Sequence, residues 1–173
     1  MLYKTQGIII KSSNLKEIDR KITVYTKDFG KLTVKGKSVR KNQAKLKGHL
    51  ELFLLSDLMI APGKGFDIIT SAETVKSFPY LHQDLNCLLT SHYFSELIDK
   101  LIAGPEKDDN LWHLLLTSFD LLDQKKEIKL VVKNFEEKLL EYLGYGQQKN
   151  FINFVQELIN SRINSYQHLT KAL

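Results

Sequence analysis

The sequence predicts an α+β protein, with a small five-stranded β-barrel over residues 1–80 and a helical bundle over residues 81–173. Three observations carry that expectation. Five short apolar runs separated by turn residues fill the first part, with no helical pattern between them. At Leu81 the spacing of apolar residues changes from two to about 3.6, the step from a pleated to a helical face. Charge divides at the same place: residues 1–80 hold 15 Lys/Arg against 7 Asp/Glu, and residues 81–173 hold 10 against 13. Over the 173 residues the net charge is +5, and 43% hydrophobic side chains suffice for a buried core.

Residues 3–12 are rich in β-branched side chains, and Gly7 within them predicts a bulge or sharp bend. Asn14 to Asp19 is polar and turn-like. In Lys21-Ile-Thr-Val-Tyr-Thr26, Ile22 and Val24 share one face while Lys21, Thr23 and Tyr25 take the other, which favours an exposed Tyr25. Asp28-Phe-Gly30 signals a turn, so residues 18–26 and 31–37 should pair as a hairpin. Leu50 to Ile60 reads as a strand too apolar for a freely solvated face; Pro62-Gly-Lys-Gly65 reverses the chain, and Phe66 to Val75 forms the fifth strand. The natural architecture is a Greek-key barrel of the OB type. Its ligand face crosses the second and third strands and the neighbouring loops.

Beyond the barrel, Leu85, Leu88, Leu89, Tyr93, Leu97, Leu101 and Ile102 stripe one helix, ended by Gly104-Pro105. Asp108 or Asp109 caps a second helix, which carries Leu111, Leu114, Leu115, Phe119 and Leu122. A third runs from Ile128 to Leu143 and stops at Gly144-Tyr-Gly146. A fourth pattern starts at Phe151 and is expected to break near Ser161 to Ser165.

The stretch from Lys31 to Lys47 holds seven basic side chains, Lys31, Lys35, Lys37, Arg40, Lys41, Lys45 and Lys47, and no acidic one. It reads as a strand running out into a basic loop. Such a loop gains by meeting a polyanion, because neutralised phosphates release counterions. A loop kept basic for solubility is the plain alternative. Arg20, Lys21 and Tyr25 fall on the expected ligand face, with Tyr25 placed to stack a base. Phe29 would stack a base or plug the hairpin, and Lys64, at the tip of its turn, would touch phosphate or stay solvated.

No enzymatic constellation is visible. The histidines, His49, His82, His92, His113 and His168, follow no metal spacing, and His92 with Glu96 reads as a helix-surface pair. Acidic residues beside turns, such as Asp57, Asp67, Glu106, Asp108 and Asp109, read as caps and solvated faces. Gly63-Lys-Gly65 lacks the spacing of a phosphate-binding loop. The chain is therefore expected to be no enzyme and to hold no cofactor or metal. The single cysteine, Cys87, excludes an intramolecular disulfide and fits a core position in a reduced compartment. With no apolar run near 18 residues and no signal-peptide start, the expected location is cytoplasmic.

The order of these features resembles the RecO family of bacterial recombination mediators. The residues that carry the resemblance are Thr5-Gln-Gly-Ile-Ile-Ile-Lys11, Glu17-Ile-Asp-Arg20, Thr26 with Phe29-Gly-Lys31, and Lys35-Gly36. After the basic loop come Leu50, Leu52 and Phe53, Gly63 and Gly65, Ala72-Glu73, and Ser77-Phe-Pro79; Leu139-Leu-Glu-Tyr-Leu-Gly-Tyr145 matches in the helical half. The resemblance covers most of residues 3–146. It implies an OB-fold domain that binds single- and double-stranded DNA and anneals complementary strands. It implies partnership with RecR and the single-strand binding protein, so that RecA loads during repair at the nucleoid.

The departures matter as well. Many relatives carry a four-cysteine zinc site after the Leu-Gly-Tyr segment; here no cysteine follows Cys87, and zinc is not expected. The C-terminus reads as shorter than usual for the family, the basic loop as longer and without its proline. The expected DNA contacts are Arg20, Tyr25, Lys31, Lys35, Lys37, Arg40, Lys41, Lys45, Lys47 and Lys64, on a monomer. Arg20 equally suits an ion pair with Glu17 or Asp19. A helical protein-interaction adaptor and an RNA-binding OB protein are the alternative readings.

Overall fold

The computed structural model describes residues 1–37 and 45–173. The chain divides into two units: residues 1–77 with 103–108, and residues 78–102 with 109–173. In the first, β1 (Tyr3–Asn14), β2 (Arg20–Thr26), β3 (Gly30–Gly36), β4 (Leu55–Ala61) and β5 (Asp67–Lys76) close in the order β1-β2-β3-β5-β4. Neighbours run antiparallel except β3 and β5, which are parallel. This is the OB-fold barrel that the spacing of the strands predicts.

Alternation sorts each strand into an inner and an outer set. Ile9, Ile22, Val24, Val34, Leu58, Ile60 and Ile69 face inward and, with Leu50, form the core. Gly7 is not the bulge: the β1–β2 register shifts between Ile9 and Lys11. Gly7 is required instead by proximity, because a Cβ there would run into Val24 Cγ1. The fourth strand also begins later than the apolar run suggests, at Leu55 rather than Leu50. Between them the chain turns through Phe53 at φ 65°, and both Leu50 and Phe53 are buried. The Phe53 N–H donates to Ile9 O (2.8 Å) and the Ile9 N–H donates to Leu54 O (3.2 Å), supplying backbone partners where β1 shifts register. The apolar run was therefore long because two kinds of structure bury it.

Residues 103–108 belong to the barrel unit although they lie between two helices in the chain. Gly30, at φ +67°, lies so close to the Glu106 backbone that a Cβ would collide with it.

The second unit comprises α1 (Pro79–Gln83), α2 (Leu85–Leu101), α3 (Asp109–Asp123), α4 (Ile128–Tyr142), α5 (Phe151–Ile159) and α6 (Tyr166–Ala172). Asp84 caps α2 by accepting from the Cys87 N–H (2.9 Å), and Asn150 caps α5 by accepting from the Asn153 N–H (3.1 Å). Past α4 the chain turns through Gly144 at φ +83°. Rings are packed among the aliphatic side chains of this core: Tyr93, Phe94, Trp112, Phe119 and Phe135 are all buried, and Phe94 stacks on Phe135 at 3.9 Å. The break expected near Ser161 to Ser165 separates α5 from α6. There the Glu96 carboxylate accepts from the Asn164 N–H (2.9 Å), the Ser165 N–H (2.7 Å) and the Ser165 hydroxyl.

Candidate nucleic-acid interface

Strand register builds the candidate face. On the outer side of the barrel Lys21 lies opposite Lys35, and Tyr25 opposite Lys31. Lys11 and Ser13 of β1 lie opposite Thr23 and Lys21. Beside Lys35 stands Ile68 of β5. Lysines thus recur on the outer side of three adjacent strands, and Lys37 continues the row past the end of β3. The outer side of β4 and β5 is different. It pairs Asp57 with Glu73 and borders a groove of about 550 Å³ lined also by Lys4, Gln6, Lys27 and Asp28. A polyanion meets mixed charge on that side and a run of lysines on the other.

Not every predicted cation is equally available. Lys35 Nζ lies 2.8 Å from Asp19 Oδ2, and Asp19 is buried, so part of the Lys35 charge is committed to the fold. Arg20 pairs at 3.9 Å with Glu51, not with Glu17 or Asp19, and its register opposite Gly36 puts it on the inward-facing set of β2. Lys37, Lys45 and Lys64 are exposed, and Lys31 and Lys47 are half-buried. Arg40 and Lys41 lie outside the described residues.

Tyr25 requires a correction. It does take the side opposite Ile22 and Val24, yet its exposure is 0%. Its hydroxyl has no hydrogen-bond partner among the described residues, and burial, with the Asp108 carboxylate nearby, pushes its pKa above the ordinary tyrosine range. Asp108 comes from the stretch that joins the barrel from between two helices, a placement no local pattern announces. Tyr25 cannot stack an added base without first being uncovered. Phe29 packs edge-on against Tyr3, with ring centroids 4.9 Å apart, as a plug of the hairpin would.

Two side chains join the face that sequence reasoning left out of the contact set. Lys21 is exposed and its Nζ stands 5.4 Å from the centroid of the Phe66 ring. An aromatic directly after Gly63-Lys-Gly65, at the end of a strand on a ligand-type barrel face, was the available signal for Phe66.

Reactive or metal-binding groups do not gather elsewhere in what is described. Among the described residues no group of three or more His, Cys, Asp or Glu could hold a metal ion. Burial, reinforced by Asp84, pushes the Cys87 thiol up to about 12, so the thiol stays protonated at neutral pH. Among the described residues no helix is long and apolar enough to cross a membrane.

Barrel topology and the lysine-bearing outer side define an OB-fold protein joined in one chain to a helical unit. Residues 1–78 match the family model described as Recombination protein O N terminal, and residues 82–149 match Recombination protein O C terminal. The chain belongs to the RecO family. Three relatives, each named DNA repair protein RecO, illustrate the similarity. One from Dehalococcoides mccartyi is 37% identical over 143 residues, which is 83% of this chain and 56% of the relative. One from Caldicellulosiruptor bescii is 34% identical, covering 90% of this chain and 62% of the relative. One from Clostridium kluyveri is 30% identical, covering 97% and 64%. The chain therefore spans 56 to 64% of the length of these relatives.

Proposed function

We propose that this chain is a non-enzymatic mediator of DNA repair that binds single- and double-stranded DNA and anneals complementary strands. The observation that carries the reading is the outer side of β1, β2 and β3, where Lys11, Lys21, Lys31 and Lys35 recur and lead into Lys37, Lys45 and Lys47. Phosphate contacts from such a surface position nucleic acid without reading its sequence. Neutralising phosphates on two strands lowers their mutual repulsion, which brings complementary bases together without breaking a covalent bond. In this reading RecR, the single-strand binding protein and RecA are the partners, and the chain helps RecA load on coated single strands. The family of the relatives supports the partner set; the lysine face supports the DNA.

Fluorescence anisotropy of a labelled single-stranded oligonucleotide, titrated at low and moderate salt, tests it. Affinity that falls steeply with salt is the expected outcome. A flat salt response would leave the lysines as a solvated surface and sink the reading. An adaptor role for the helical unit has its own support, since Leu130, Tyr145 and Leu158 are 63%, 43% and 42% exposed.

A further inference from the structure

Five aromatic side chains belong to the barrel unit: Tyr3, Tyr25, Phe29, Phe53 and Phe66. Four are occupied. Tyr25 and Phe53 are buried, and Tyr3 and Phe29 pack against each other while the Tyr3 hydroxyl donates to Asp67 Oδ2 at 2.7 Å. Phe66 differs. It stands in the bend just before β5, two residues ahead of the outward Ile68, and remains half-exposed. Over its ring stands the Lys21 ammonium, 5.4 Å from the centroid, carried by a side chain that reaches across β3 from β2. The backbone beneath it is held tightly, since a Cβ on Gly63 would collide with the Phe66 carbonyl.

We propose that Phe66 is a stacking platform for one unpaired nucleobase, with Lys21 passing from the ring to the adjoining phosphate when the base arrives. The assignment rests on the reading of the lysine face given above and names the ligand chemistry that face selects. Every base offers a π-face, so stacking there is tolerant of sequence. A duplex hides those faces between neighbouring pairs, so the platform favours single strands over duplex. The lysine answers both states: it sits over the quadrupole of the bare ring and becomes a phosphate contact in the complex. An aromatic ring between Ile68 and the Gly63-Lys-Gly65 turn thus supplies what the lysines lack, a reason to prefer an unpaired strand.

The test compares an oligothymidylate with an abasic oligonucleotide carrying the same number of phosphates, using the full chain and its Phe66→Ala variant. The expected result is a loss of about tenfold in affinity for oligothymidylate and none for the abasic strand. An equal loss on both strands, or no loss on either, overturns the assignment. Phe66→Trp provides an independent readout. It should keep the affinity and show an added tryptophan emission that oligothymidylate quenches and the abasic strand does not; quenching by both would count against stacking. Oligodeoxyuridylate and oligouridylate test whether the ring is indifferent to the sugar. The same Phe66→Ala loss on both is expected, because the ring meets the base and not the sugar, and a loss confined to one overturns the platform. An unmodified chain that binds no oligonucleotide at low salt overturns the reading of the whole face, a pattern distinct from any Phe66-specific result.

Discussion

The barrel core cluster is wholly aliphatic, and the helical core mixes aliphatic side chains with rings. Ile, Val and Leu fill the five-stranded interior, whereas Phe94 on Phe135, Tyr93, Trp112 and Phe119 join leucines, isoleucines and valines in the helical core. A small closed barrel has an interior just wide enough for branched aliphatics, and strict alternation sends every other residue outward. Those outward positions are where the lysines of β1 to β3 stand. Helices bury a stripe and have wider, irregular gaps that rings fill.

The two units also use charge differently. In the barrel most lysines face outward, with Lys35 held by buried Asp19. In the helical unit carboxylates work inside. Burial pushes the Glu136 carboxyl above its ordinary value while Tyr93 donates to it at 2.6 Å. Burial pushes Glu96 up as well, but hydrogen bonds from Lys100, Ser165 and Asn164 outweigh it and hold the carboxyl down at about 2. One unit turns its charge outward, and the other uses it to tie helices together.

Substitutions can break this comparison or sharpen it. Phe135→Ala should have the largest effect, removing a fully buried stacked ring at a cost of about 3–5 kcal/mol in urea unfolding followed by circular dichroism. A loss under about 1 kcal/mol would show that aromatic packing is not what holds the helical core. Gly7→Ala in the barrel should cost about 1–3 kcal/mol, because the new Cβ meets the stiff Val24 side chain in an already filled interior. Replacing Lys37, Lys45 and Lys47 together by Ala should leave the melting temperature nearly unchanged. It should lower the slope of log affinity against log salt by about 2 on single strands. An unchanged slope would remove those lysines from the interface.

Glu96→Gln should cost stability at neutral pH, and that deficit should shrink with acid. A carboxyl whose pKa drops from 4.5 to about 2 on folding adds stability that is present above the unfolded value and is lost as pH falls toward 2. The unmodified chain should therefore lose stability across that window more steeply than Glu96→Gln, measured as urea midpoints at stepped pH. The smallest effect belongs to Tyr25→Phe. It removes a buried hydroxyl that has no partner among the described residues, so stability should hold or rise slightly and oligonucleotide affinity should not change. A clear fall in affinity would restore Tyr25 to the interface.

Much of this was legible in the chain. The strand alternation in Lys21–Thr26 and Leu32–Lys37, the turn residues between runs, and the helical stripes ended by Gly144 and broken near Ser161 all follow from local backbone preference and periodicity. So did the outward direction of Lys21, Lys31 and Lys35, because a strand that buries Ile22, Val24 and Val34 has no other place for their neighbours. Direction is local; accessibility is not. Tyr25 points outward and is still buried, Arg20 finds Glu51 rather than a near neighbour, Lys35 finds buried Asp19, and Lys21 finds Phe66 across an intervening strand. The sequence by itself determined which residues form strands and helices and which side of each strand carries charge. Only the tertiary structure decided which of those outward side chains remain available, because covering and pairing are made by segments far apart in the chain, whose meeting no period of two or 3.6 encodes.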